Sequence, residues 1–178
     1  WPIQVAVNVS SLQFARDAFV DEVRSILERT GLHPSLLQIE LTESATLAGV
    51  ERAAAMMDRL KAMGVTIAMD DFGTGYSSLG YLPKLAFDAL KIDRSFVHEL
   101  TLRPENGAFI ESILTMAHNL NMRVIVEGIE TWEQLEILTS LGADEAQGYL
   151  LGRPGPVPAV HLEARGSVRS GEREPARV

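Results

Sequence analysis

The residues able to do chemistry are few in type and regular in placement. Asn8, Glu40, the adjacent pair Asp70 and Asp71, Lys91 with Asp93, Glu127 and Gln147 each stand at or just past the C-terminal end of a short aliphatic or β-branched run. Any one such acid has a bland account, because strands commonly end in polar loops. Asp70 and Asp71 together are harder to set aside, since a simple turn before Phe72-Gly73-Thr74-Gly75 has no need of two full charges. Adjacent carboxylates repel unless a cation lies between them, and a set of Asp, Glu and an Asn carbonyl offers only hard oxygen donors, which suit Mg²⁺ or Mn²⁺. Lys91 interrupts the apolar run Ala89 to Ile92. A lysine in a buried strand needs a partner, here Asp93 or a neighbour. The chain has no cysteine, which removes disulfides and thiolate metal sites, and histidines 33, 98, 118 and 161 are scattered without zinc-ligand spacing.

Six runs are strand length and poorly alternating: Ile3 to Val9, Leu37 to Leu41, Val65 to Met69, Ala89 to Ile92, Arg123 to Val126, and a weak one at Ala143 to Ala146. Runs of this kind suit strands buried on both faces, the habit of parallel sheets. Helical patterns lie between them. The first carries Phe14, Phe19, Val20, Val23, Ile26 and Leu27 and stops at Gly31; the second runs from about Thr46 to Met63 before Gly64. A later one carries Phe109, Ile110, Ile113, Leu114, Ala117 and Leu120, and the last begins at Thr131 with Gln134 at capping-box spacing and ends at Leu141 before Gly142. Alternating strand and helix predicts right-handed βαβ units in an α/β fold. The residues after Val9 are Ser10, Ser11, Leu12 and Gln13, not a glycine-rich dinucleotide loop, so a closed barrel is preferred over an open doubly wound sheet. In a barrel all strands point the same way, and the polar residues named above converge on one rim.

At 46% hydrophobic, the 178 residues suffice for one substantial core. A net charge of −8 argues against a binder of nucleic-acid polymers, which needs a lysine and arginine excess; any phosphate bound here needs positive charge from elsewhere. No apolar run approaches the roughly 20 residues of a membrane span, so a soluble domain is expected. Asp71-Phe72-Gly73 copies a protein-kinase tripeptide without the accompanying kinase motifs, and Gly75 to Gly80 has P-loop spacing without the following Lys. Residues 159–178 turn charged and Pro/Gly-rich, predicting a disordered tail behind a single domain spanning residues 1–158.

The strings themselves carry a resemblance. Asn8-Val9-Ser10, Glu40-Leu41-Thr42-Glu43-Ser44, Asp70-Asp71-Phe72-Gly73-Thr74-Gly75-Tyr76-Ser77-Ser78-Leu79, Leu90-Lys91-Ile92-Asp93-Arg94-Ser95-Phe96, Glu127-Gly128-Ile129-Glu130-Thr131 and Gln147-Gly148-Tyr149 occur in that order. Together they resemble the EAL domain family of bacterial cyclic-di-GMP phosphodiesterases. The resemblance implies a TIM-type (β/α) barrel in which two divalent cations, Mg²⁺ or Mn²⁺, hold one phosphodiester of cyclic-di-GMP and activate a water, giving linear pGpG. It assigns Asn8, Glu40, Asp70, Asp71 and Glu127 as metal ligands and Lys91 as the group positioning the attacking water. It places Gln147 at the site edge and gives Glu43 the task of bracing the loop Phe72 to Leu79. It further implies a bacterial cytoplasmic protein, a homodimer, and fusion to upstream sensory or diguanylate cyclase domains. The family's own E-A-L sequence is absent, and the chain opens at Trp1 close to a strand. A barrel incomplete at its N-terminus, with open strand edges and uncovered helix faces, is therefore expected. A family member that binds cyclic-di-GMP or a partner protein without cleavage is the alternative, and a barrel metallohydrolase acting on another phosphate ester is a third reading. The intact ligand and lysine positions weigh against the first of these, and the motif strings against the second.

Overall fold

The computed structural model describes residues 3–47, 49–73, 79–98, 100 and 104–155. The expected tail at residues 159–178 lies outside them, as does most of the loop Phe72 to Leu79. Six parallel strands run in sequence order across one sheet: β1 (Val5–Val9), β2 (Leu37–Thr42), β3 (Thr66–Phe72), β4 (Ala89–Ile92), β5 (Arg123–Val126) and β6 (Glu145–Ala146). The helices are α1 (Ser11–Phe14), α2 (Phe19–Thr30), α3 (Glu43–Leu47), α4 (Val50–Ala62), α5 (Arg94–His98), α6 (Pro104–Asn119) and α7 (Trp132–Leu141). Short 3₁₀ turns occupy Pro34–Leu36 and Leu79–Lys84.

Strands β2 to β5 fail to alternate because both faces of the sheet are buried there. Ile39 and Leu41, Ile67 and Met69, Leu90 and Ile92, Val124 and Val126 join one large core with the helices, where Val20, Leu27, Met57, Leu60, Ile110 and Leu114 are sequestered. Side chains alternate across a strand, so the intervening residues face the other way. There Ala68, Ala89 and Ile125 form a separate small cluster. Two residues further along their strands, towards the C-terminal ends, come Asp70, Lys91 and Glu127. Small alanines thus floor a layer of charge, all on one face of the sheet.

Among the described residues β1 pairs only with β2 and β6 only with β5, so the sheet is open, as expected. Ile3, Val5 and Val7 along β1 remain 53%, 48% and 44% exposed, and an apolar groove of about 380 Å³ separates this strand from α2, where Ile26 is 47% exposed.

Two helix expectations need correction. Phe14 belongs to α1, separate from α2. Positions 14 and 19 lie roughly 140° apart around a helix of 3.6 residues per turn, so one helix could not turn both inward. A turn between α1 and α2 brings the rings edge to face at 5.9 Å instead. The segment from Thr46 to Met63 likewise divides, because Gly49 is extended (φ −177°) and separates α3 from α4. The predicted capping box at Thr131 and Gln134 is present, and buried Gln134 also donates to the Val97 carbonyl at 3.3 Å, tying α7 to α5.

The end of the sheet opposite the charged layer is fastened by a device used twice. Asp88, just before β4, accepts the Ile67 N–H of β3 at 2.9 Å and pairs with Lys61. Asp144, just before β6, accepts the Val124 N–H of β5 at 2.7 Å and a hydrogen bond from His118 Nε2 at 2.8 Å.

Candidate active site

Lys91 is 5% exposed, and its ammonium sits among three carboxylates, 3.0 Å from Glu40 Oε1, 2.9 Å from Asp70 Oδ1 and 2.7 Å from Glu127 Oε1. Glu40 and Asp70 are themselves 6% and 8% exposed. The sequence called for a partner to Lys91; the partners come from β2, β3 and the end of β5, not from Asp93. Asp93 instead accepts the Ser95 N–H at 2.9 Å and caps α5. That bond, the Arg94 N–H and the Arg94 charge outweigh burial and hold its carboxyl below the usual aspartate range.

Burial alone would lower the pKa of Lys91, but the surrounding carboxylates of Glu127, Asp70 and Glu40 overcome it and raise the value. Lys91 is therefore a fixed cation at neutral pH. Burial pushes Glu127 above the ordinary glutamate value, against the lowering pull of Lys91, and Asp70 and Glu40 add to the rise. Partial desolvation also raises Asp71, helped by Asp70 and Asp93 and opposed by Lys91.

Consecutive residues in a regular strand point to opposite faces, which would separate Asp70 from Asp71. The β3–β4 pairing shifts register between Met69 and Phe72, and Asp71 adopts φ 56°, a left-handed conformation uncommon outside glycine. A bulge of this type re-aims a side chain at the end of a strand. It leaves Asp70 buried and Asp71 exposed, close enough for their charges to interact. Asn8 is exposed on β1 and is register partner to Glu40.

The remaining two expected residues stand at the periphery. Glu43 opens α3 directly after β2 and is partly buried. Gln147 follows β6; its N–H donates to the Val126 carbonyl at 2.8 Å and its carbonyl accepts from Ile129 at 3.1 Å. Gly148 packs so closely on Ile129 that a Cβ there would overlap the Ile129 backbone nitrogen and oxygen. Gly128, at φ 75°, is pressed in the same way against Arg94. Sequence reasoning passed over both glycines, although each follows directly a residue it did select.

A divalent cation suits this donor set on two grounds. Three carboxylates around one ammonium leave an excess of negative charge in a buried place. Asp70 Oδ1 lies within ion-pair distance of Lys91 yet makes no hydrogen bond of acceptable geometry, so a buried carboxylate oxygen keeps unused acceptor capacity. Among the described residues the acids do not already form a closed metal cage; the lysine ammonium lies at their convergence.

The sequence profile described as "EAL domain" matches residues 2–154. The bifunctional diguanylate cyclase/cyclic di-GMP phosphodiesterase MucR of Pseudomonas aeruginosa is 47% identical over 152 residues, which cover 85% of this chain and 22% of MucR. The cyclic di-GMP phosphodiesterase RocR of the same organism is 38% identical over 155 residues, covering 87% of this chain and 40% of RocR. Among solved structures, the MucR phosphodiesterase in complex with c-di-GMP superposes with a TM-score of 0.83 at 46% identity, over 87% of this chain and 63% of that one. The chain thus spans well under half the length of these two curated relatives.

Proposed function

Since this chain belongs to the EAL domain family, we propose that it contributes the metal-binding face of a cyclic-di-GMP phosphodiesterase, hydrolysing the cyclic dinucleotide to linear pGpG. The observation that carries the reading is the convergence of Glu40, Asp70 and Glu127 on Lys91, with one Asp70 oxygen left unsatisfied. Asn8, Glu40, Asp70, Asp71 and Glu127 would hold Mg²⁺ or Mn²⁺ as a two-metal site. When bound, such ions lower the pKa of water to about 7 and neutralise charge on the phosphodiester.

The protein's own part follows from its charges. Lys91, kept protonated, has three N–H donors and no lone pair. It orients the attacking water by donating to its oxygen and steadies charge developing on the phosphoryl oxygens; it cannot take the proton, which falls to a carboxylate of the cluster. Water oxygen bonds to phosphorus, the bond to the ribose 3′ oxygen breaks, and that oxygen leaves with a proton, so the product is a linear dinucleotide with a 5′ phosphate. Asp71, re-aimed by its bulge, would help to hold the ions, Gln147 would border the dinucleotide, and Glu43 would brace the segment after Phe72. A homodimer, a cytoplasmic location and fusion to sensory or cyclase domains belong to the same proposal. For the fusion, the support is MucR, a relative whose name joins both activities.

The test is to incubate the protein with cyclic-di-GMP and Mg²⁺ or Mn²⁺ and to follow pGpG by chromatography, with Lys91→Ala as control. Cleavage that needs both the metal and Lys91 supports the proposal. Tight binding of cyclic-di-GMP without any pGpG would instead assign a sensing module.

A further inference from the structure

We infer that Phe96, a residue the reaction itself does not use, is a positioning residue whose ring clamps the turn that carries Asp70 and Asp71. The inference rests on the proposed metal site and deepens it.

Gly73 sits at φ 94°, two residues past the left-handed Asp71. A Cβ added at Gly73 would stand 2.6 Å from both Cε2 and Cζ of Phe96, closer than carbon atoms pack, so that edge of the ring already abuts Gly73. Phe96 cannot swing freely away. Its ring stacks on Phe109 of α6, with centroids 5.1 Å apart and planes 26° from parallel.

The segment from Lys91 to Phe96 therefore meets the end of β3 three times. Lys91 pairs with Asp70, Ile92 is register partner to Phe72, and the Phe96 ring edge abuts Gly73. Asp71 lies between these contacts. A left-handed non-glycine residue is strained and persists where its surroundings over-determine it. The ring supplies that constraint from one side as the lysine does from the other. Asp93 sets the reach of the clamp: by accepting the Ser95 N–H it starts α5 immediately after β4 and turns Phe96 back towards β3.

Outer partners that orient metal ligands typically contribute 10–100-fold to metal affinity. Mn²⁺ affinity, read by electron paramagnetic resonance on folded protein well below its melting temperature, should weaken about ten-fold or more in Phe96→Ala, while Phe96→Leu, which refills the space, recovers much of the loss. A second readout is a double-mutant cycle in thermal stability. Gly73→Ala collides with the ring in the native background but not in Phe96→Ala, so the two losses should be clearly less than additive. Should Phe96→Ala not fold, Phe109→Ala removes only the backing ring, and a two- to three-fold weakening of Mn²⁺ binding is expected on the order set by a partial loss. Native-strength Mn²⁺ binding in Phe96→Ala, or in Phe109→Ala where that variant replaces it, overturns the inference, as do additive losses in the cycle. A native protein that binds no Mn²⁺ overturns the functional proposal and the inference together, whereas native binding retained by the variants overturns the inference alone.

Discussion

Lys91 Nζ lies 2.9 Å from Asp70 Oδ1, yet that oxygen is left without a properly directed hydrogen bond. One ammonium is shared among three carboxylates, and none of its N–H groups is well directed at this oxygen. The pairing is adequate for holding charge in place and leaves acceptor capacity for a stronger cation.

Removing the ammonium should therefore be costly in metal-free buffer and much less so with metal. Lys91→Met leaves Glu40, Asp70 and Glu127 buried without their counter-charge, a loss of about 3–5 kcal/mol for a broken buried pair. Urea unfolding with chelator against saturating Mg²⁺ measures this. The prediction is that Mg²⁺ stabilises Lys91→Met more than the native protein, because in the native protein the ion competes with the ammonium. Equal stabilisation would mean that the carboxylates and the metal do not share a place.

Asp144 gives a pH dependence remote from the site. Burial would raise its pKa, but hydrogen bonds from His118 and the Val124 N–H, with the charges of His118 and Arg123, lower it below the usual aspartate value. A carboxylate with a lowered folded pKa stabilises fully above its unfolded value and loses that contribution as pH falls through the folded one. Asp144→Asn should thus be less stable than the native protein at neutral pH, and the gap should shrink as pH drops below the ordinary aspartate range. Urea midpoints across that range decide it; a gap constant with pH would rule out the ionised carboxylate as the source.

Gly148→Ala places a methyl group into the Ile129 backbone. The surrounding bonds, Ile129 N–H to Gln147 and Leu150 N–H to the Ile129 carbonyl, must then shift. Overpacking of this kind costs about 1–3 kcal/mol. Both a lower denaturation midpoint and weaker cyclic-di-GMP binding are expected, because Gln147 rides on the same loop. A midpoint unchanged within error would show that the loop yields freely.

What was legible in the sequence follows from the range of the forces involved. The strands could be read because two buried faces leave continuous aliphatic runs, and the cap at Thr131 could be read because its bonds span three residues. Lys91 could be singled out by its apolar neighbours, but its partners could not: Glu40, Asp70 and Glu127 are far from it in sequence and meet it only through strand register. The division of the first helix between Phe14 and Phe19 was open to a stricter use of helical period. The bulge at Asp71 left no local mark, since its cause is the shifted pairing with β4. The same holds for the Asp88 and Asp144 fastenings, which join strands through residues that look like ordinary loop acids.

The most direct test of the account is to let the protein act on cyclic-di-GMP in ¹⁸O-labelled water, with and without Mg²⁺ or Mn²⁺, and to weigh the product by mass spectrometry. The account predicts pGpG carrying one solvent oxygen on its 5′ phosphate, formed only when metal is present. Cyclic-di-GMP recovered intact and unlabelled from a metal-loaded protein that binds it would contradict hydrolysis at this site.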